Sequence, residues 1–257
     1  MYTVLFYVHN CNMLLYVKGE FLMKHDIKLI DDEVLIKEYI ERGKGLFNDG
    51  EFEKAFRYYN KAILLDNEYA ESYFVKGHAH LQRFEVEEAE RCLKIYLKLA
   101  PGDPKGYWKL IDIHDLTGDF DKCIYYCEKL IEMDPENSIT YLKKAEFLAL
   151  LNDFNEAVKC FDICLKLDSN FYDAICGKAS ALLSLRNKKA ALELYIKATY
   201  VDITKSAAYF GTSEVYMSMG YFQKALIFAE QAYNMEPENE WYKCHYSVLK
   251  NMSVGIR

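Results

Sequence analysis

The chain has 257 residues, 51% hydrophobic and 28% charged, a balance that supports a buried core and excludes an intrinsically disordered chain. Its 12 glycines and 4 prolines exclude a collagen-like or turn-rich all-β protein, and a net charge of −7 argues against broad nucleic-acid binding, which needs clustered Lys and Arg. No window approaches the apolar length of a membrane span, so neither nucleic acid nor membrane is expected as a partner.

Residues 1–35 read as an N-terminal segment. Residues 1–22 are Tyr-rich and apolar, without a positive start or a small-residue cleavage site, which fits a secretory signal badly. Two readings stand. Met23-Lys24-His25-Asp26 looks like an ordinary polar start, in which case residues 1–22 belong to a start assigned too early. Otherwise they form an apolar flap that packs on the first unit or in its groove. Residues 24–35 read as a short lead-in, partly helical from Asp31 to Ile36. No strand is expected anywhere.

From Ile36 onward a 34-residue period sets the pattern, giving units 36–69, 70–103, 104–137, 138–171, 172–205 and 206–239 with no insertion. Ala55, Ala89, Cys123, Ala157, Ala191 and Ala225 stand one period apart. So do Tyr39, Tyr73, Tyr107, Tyr141, Ile175 and Tyr209, and a third column runs Leu65, Leu99, Met133, Leu167, Val201, Met235. Each unit reads as two helices. In the first, Tyr39, Gly43 and Leu46 share one face of a leading helix, and Asn48-Asp49-Gly50 stops it. Phe52, Ala55, Phe56, Tyr59, Ala62 and Ile63 then mark a second helix, ended at Asp66-Asn67. Small residues at Gly43 and Ala55 let the two axes approach, and aromatic rings fill the space around them. The fifth unit is the most eroded, with Arg186, Lys188 and Ile203 where Gly, an aromatic and Pro are usual. After it, residues 240–257 read as a capping helix and tail, with Trp241, Cys244, His245, Val248, Leu249 and Met252 on one face. The other reading of that segment is the first helix of a truncated seventh unit.

These columns resemble the tetratricopeptide repeat. The small residue followed four on by an aromatic is Ala55/Tyr59, Ala157/Phe161 and Ala191/Tyr195, and the closing proline is Pro101, Pro135 and Pro237. The resemblance covers about four-fifths of the chain. It implies an all-α fold, a right-handed α-α superhelix (solenoid) of six helix-turn-helix repeats plus the C-terminal capping helix. It is specific for fold and only weakly informative on function.

In that family peptides lie on the face built by the second, fifth, ninth and twelfth positions of each unit. The candidates here are Ile40, Phe74, Trp108, Leu142 and Phe210 at the fifth, Phe47 at the twelfth, and Lys44, His78, Asp112 and Glu146 at the ninth. Trp108 is the best single hint of an anchor, being a large aromatic not needed within its own unit. The competing reading has some of these side chains contacting the next unit's first helix. Relatives that clamp chaperone carboxylate tails carry Lys, Asn and Asn where this chain has Ile40, Lys44 and Val75. Only Lys105 and Lys109 match that clamp, so at most a weak anion site is expected.

The eight cysteines sit mostly in helix-contact columns without a CxxC spacing, so they read as small core fillers in a reducing, cytoplasmic compartment. Asp112 and Asp115 read as solvated charge, and His78 and His80 point to different helix faces. No catalytic residue, cofactor or metal is expected. The functional expectation is a non-catalytic scaffold that binds a protein or peptide in its inner groove. Two other readings are a self-assembling homo-oligomer module and an adaptor for chaperone C-terminal tails.

Overall fold

A computed structural model describes the backbone of residues 6–9, 12–17, 20–22 and 24–254 and the side chains of 32–252. From Lys24 onward the chain forms helices and the short turns between them. The helices are α1 (Lys24–Asn48), α2 (Phe52–Leu65), α3 (Ala70–Gln82), α4 (Val86–Leu99), α5 (Pro104–Thr117), α6 (Phe120–Met133) and α7 (Ser138–Leu150). They continue as α8 (Phe154–Leu167), α9 (Tyr172–Ser184), α10 (Lys188–Val201), α11 (Ser206–Ser218), α12 (Phe222–Met235) and α13 (Glu240–Val254). The second helices start at Phe52, Val86, Phe120, Phe154, Lys188 and Phe222, 34 residues apart each time.

The turn between the two helices of a hairpin repeats as faithfully. A residue with positive φ stands there at Gly50, Phe84, Gly118, Asn152, Arg186 and Gly220. Only three are glycine, so Phe84 and Arg186 hold a left-handed backbone that their side chains disfavour. Three of the second helices, α6, α8 and α10, begin on a capping side chain. Asp119, Asp153 and Asn187 accept from the backbone N–H of Lys122, Glu156 and Ala190.

Two compact bodies divide the chain, residues 1–113 and 114–257, with the division inside α5. In the first body α1 pairs with α2 and α3 with α4, and the second hairpin stacks on the first. Ile36, Ile40, Ala55, Tyr59, Ala62, Val75 and Ala79 form its core. The Tyr59 ring lies against Gly43 so closely that an added Cβ would meet it at 2.5 Å. In the second body α7/α8, α9/α10 and α11/α12 pair in the same way, and α13 lies on α12. Here Phe161 and Tyr195 press on Gly177 and Gly211 of the following hairpin. The small-residue column is where the axes meet: Ala55, Ala89, Cys123, Ala157, Ala191 and Ala225 are all fully buried.

Three expectations need correction. First, strands exist. β1 (Phe6–His9), β2 (Asn12–Val17) and β3 (Glu20–Leu22) form an antiparallel sheet with β2 in the middle, and β2 lies against α1. Their Phe, Tyr, Val and Leu content suits a pleated surface and carries no helical stripe. The side-chain contacts expected of an apolar flap at 1–22 lie outside the described residues. Second, residues 24–35 are no separate lead-in, because α1 runs unbroken from Lys24 to Asn48. Third, α13 is turned relative to its expected face. Tyr242, His245, Tyr246 and Leu249 face inward, with Leu249 fully buried against Ala225 and Ala229, whereas Trp241 is 79% exposed and Cys244, Val248 and Met252 are exposed beside it. The inward spacing of three, four and seven is a proper helical stripe, and the rings at 242 and 246 find partners on neighbouring helices. Tyr246 stacks on Tyr233 with centroids 5.3 Å apart.

Candidate functional site

In the first body, α1 presents the ninth and twelfth positions of its unit, and α3 the fifth and ninth of its own, to one side. Lys44, Phe47, Phe74 and His78 line a single open hollow of about 340 Å³, together with Asn48, Glu71 and Gln82. Its apolar wall is built from aromatic contacts. The Phe74 ring lies 5.1 Å from Tyr96 and 6.3 Å from the His78 ring, and Phe47 meets Phe52 edge-on at 4.9 Å. Lys44 donates to Glu41 at 2.8 Å. The His78 pKa is depressed, first by burial and then by Lys109, with Asp112 opposing. His78 is therefore held neutral and can give or take a hydrogen bond at the rim. Lys109 itself donates to Asp112 at 2.7 Å. Trp108 is half-buried on α5 and Lys105 is exposed one turn before Lys109.

Two candidates leave the face altogether. Ile40 is 3% exposed inside the first core and Leu142 is 6% exposed in the core formed with Ala145, Phe161 and Ala174. For these the competing reading, contact with a neighbouring helix, describes their place. The fifth position turns inward wherever its side chain is aliphatic and the adjacent hairpin offers an alanine or a ring. In the second body Glu146 accepts from Lys143 at 2.8 Å. Phe210 is half-covered by α13, its ring 4.9 Å from Tyr242 and 5.0 Å from His245. Sequence reasoning missed Asn48 and Gln82 as hollow-lining residues, and the second position, where Glu71 stands, was included in the face without that residue being named. It also missed Gly177 and Gly211, which stand two places before the buried Ala179 and Ser213.

The buried thiols are packing groups. Burial pushes Cys123 and Cys127 up to about 12, and Cys164 and Cys176 up to about 11, far from a reactive thiolate at neutral pH. Among the described residues no group of three His, Cys, Asp or Glu side chains converges as metal ligands would. No described helix is long and apolar enough to cross a membrane.

Comparison with known proteins agrees with this geometry. A sequence profile described as tetratricopeptide repeat matches residues 40–104 and 74–138, and a second of the same description matches 139–171 and 206–239. The chain belongs to the tetratricopeptide repeat family. Members of this family mediate protein–protein interactions. Among curated relatives, anaphase-promoting complex subunit 3 of Schizosaccharomyces pombe is 24% identical over 72% of this chain and 28% of its own length. Tetratricopeptide repeat protein 6 of Homo sapiens is 21% identical over 79% and 38%, and stress-induced-phosphoprotein 1 of Caenorhabditis elegans 26% identical over 69% and 53%. This tetratricopeptide repeat chain thus spans between about a quarter and a half of these relatives' lengths. Two solved structures share its fold. The pilF protein of Pseudomonas aeruginosa superposes with a TM-score of 0.63 at 14% identity, over 86% of this chain and 99% of that one. YrrB, described as a tetratricopeptide repeat protein with an unusual peptide-binding site, superposes at 0.58 with 18% identity, over 72% and 95%.

Proposed function

We propose that this protein is a scaffold that holds a partner polypeptide against the inner face of its first body, in the hollow lined by Lys44, Phe47, Phe74 and His78, with Trp108 as an added apolar anchor. One observation carries this reading: four residues chosen by repeat position alone converge on one preformed cavity. A preformed site avoids part of the ordering cost of association, and its aromatic wall with a polar rim suits apolar anchors flanked by hydrogen-bonding groups. YrrB offers a precedent in the same fold for a peptide ligand. The adaptor reading for chaperone tails loses ground, because Ile40 and Val75 are buried in the core and Lys44 and Lys109 are already paired with Glu41 and Asp112. Free, buried thiols fit a reducing compartment such as the cytoplasm.

The test is a random peptide library selected on the intact chain. Peptides so obtained bind Trp108→Ala at least tenfold more weakly, about 1.4 kcal/mol, with an unchanged helical circular dichroism spectrum. Equal affinity for both proteins overturns the anchor role of Trp108. A second reading, self-assembly, is favoured by the exposed apolar stripe of Trp241, Val248 and Met252 on α13. Light scattering over a range of concentrations tests it.

A further inference from the structure

The ninth position of the leading helix carries a carboxylate in three units, at Asp112, Glu146 and Glu214. Asp112 is answered by Lys109 at 2.7 Å and Glu146 by Lys143 at 2.8 Å, each lysine standing three residues earlier. The residue three before Glu214 is Gly211. No lysine can stand there, because the Tyr195 ring of the preceding hairpin occupies the space and would lie 2.3 Å from an added Cβ. The fold therefore removes the cation that neutralises the same position in two other units.

The consequence is a half-buried carboxylate with no hydrogen-bond or ion-pair partner among the described residues. Burial raises its pKa, and burial is the only cause. Phe210 and Met217 flank it on α11, both half-buried, and its charge is felt by the Tyr195 hydroxyl, which sits beside Ser180. An uncompensated charge in partial burial is costly and is relieved by an opposite charge brought in with its own apolar stem. A Lys or Arg side chain has that form. A metal ion does not fit, since among the described residues no further carboxylate, thiol or imidazole joins Glu214 as a ligand set.

We propose that the inner face of α11 is a subsite for a Lys or Arg side chain of a bound polypeptide, with Glu214 as counter-ion and Phe210 and Met217 receiving the apolar stem. This rests on the reading of the protein as a peptide-binding scaffold and adds, on the second body, a separate contact with its own residue preference. A random nine-residue peptide library is selected separately on the intact chain, on Glu214→Gln and on Glu146→Gln. The intact chain and Glu146→Gln enrich Lys or Arg at one position at least tenfold over the starting library, and Glu214→Gln does not. Replacing that basic residue by norleucine or citrulline in a selected peptide weakens binding to the intact chain about tenfold and leaves binding to Glu214→Gln unchanged. The proposal is overturned if Glu214→Gln keeps the same basic preference, or if the intact chain selects peptides without one. Failure of all three proteins to select any peptide overturns the scaffold reading itself. Glu214→Gln keeps the shape of the side chain, and circular dichroism checks that it folds.

Discussion

A glycine in the middle of a helix ordinarily costs about 1 kcal/mol relative to alanine, so each one that persists needs a reason in its surroundings. At Gly211 the reason is Tyr195, whose buried ring leaves no room for a methyl group. Two effects compete in Gly211→Ala: helix propensity returns about 1 kcal/mol, and displacing a well-packed ring costs about 1–3 kcal/mol. The steric loss is expected to win, because Tyr195 is fixed in the core beside Ala179 and Ala191. Urea unfolding should show a lower midpoint for the variant at an unchanged slope, and a raised midpoint would mean that the ring moves aside freely. The small-and-large columns were legible at this scale because each alanine is demanded by a helix crossing that recurs. Gly177 and Gly211 were harder to read, since the ring pressing on them comes from a different hairpin and no short-range spacing announces it.

Among the elements, α13 shows how far a helical face can be read from sequence. Its existence and its start at Glu240 followed from the period, but its rotation depended on which rings found partners across the gap, and that is tertiary information. Docking fixes one proton. Ser213 donates to the carbonyl of Ala225 at 2.7 Å, so its oxygen accepts from His245 at 2.9 Å, and the imidazole carries its hydrogen on Nε2. Burial holds the His245 pKa below its ordinary 6.5. The unfolded chain then binds the proton more readily than the folded one, so this contribution is complete above about pH 6.5 and is lost as pH falls through the folded value. The gap in unfolding midpoint between the intact chain and His245→Gln should narrow on going from about pH 7 to pH 5. A gap independent of pH would show that the imidazole does not titrate in that window. The sheet of β1 to β3 was missed for a related reason. Its residues were read only as a start assigned too early or as an apolar flap, although the composition of the strands favours a pleated ribbon.

For the whole molecule, the helix starts were the most legible feature and the candidate site only partly so. Lys44, Phe47, Phe74 and His78 came together as their unit positions implied, whereas Ile40 and Leu142 went to the core. Position in a repeat fixes a direction on the helix, but whether that direction opens on solvent or on a neighbour depends on side-chain bulk next door. The exposed stripe of Trp241, Val248 and Met252 sets the expectation for assembly. If it joins copies of the chain, Trp241→Lys should reduce the mass seen by light scattering to that of one chain, and a mass unaffected by the substitution leaves the stripe without that role. The constant hairpin length has a consequence for descent. Since every hairpin carries its fully buried small residue at the same place, 34 residues from the next, duplication or loss of one entire hairpin leaves each later small residue where its helix crossing needs it, while an indel of any other size puts all of them out of step. Genes of this design should therefore grow and shrink in whole hairpins.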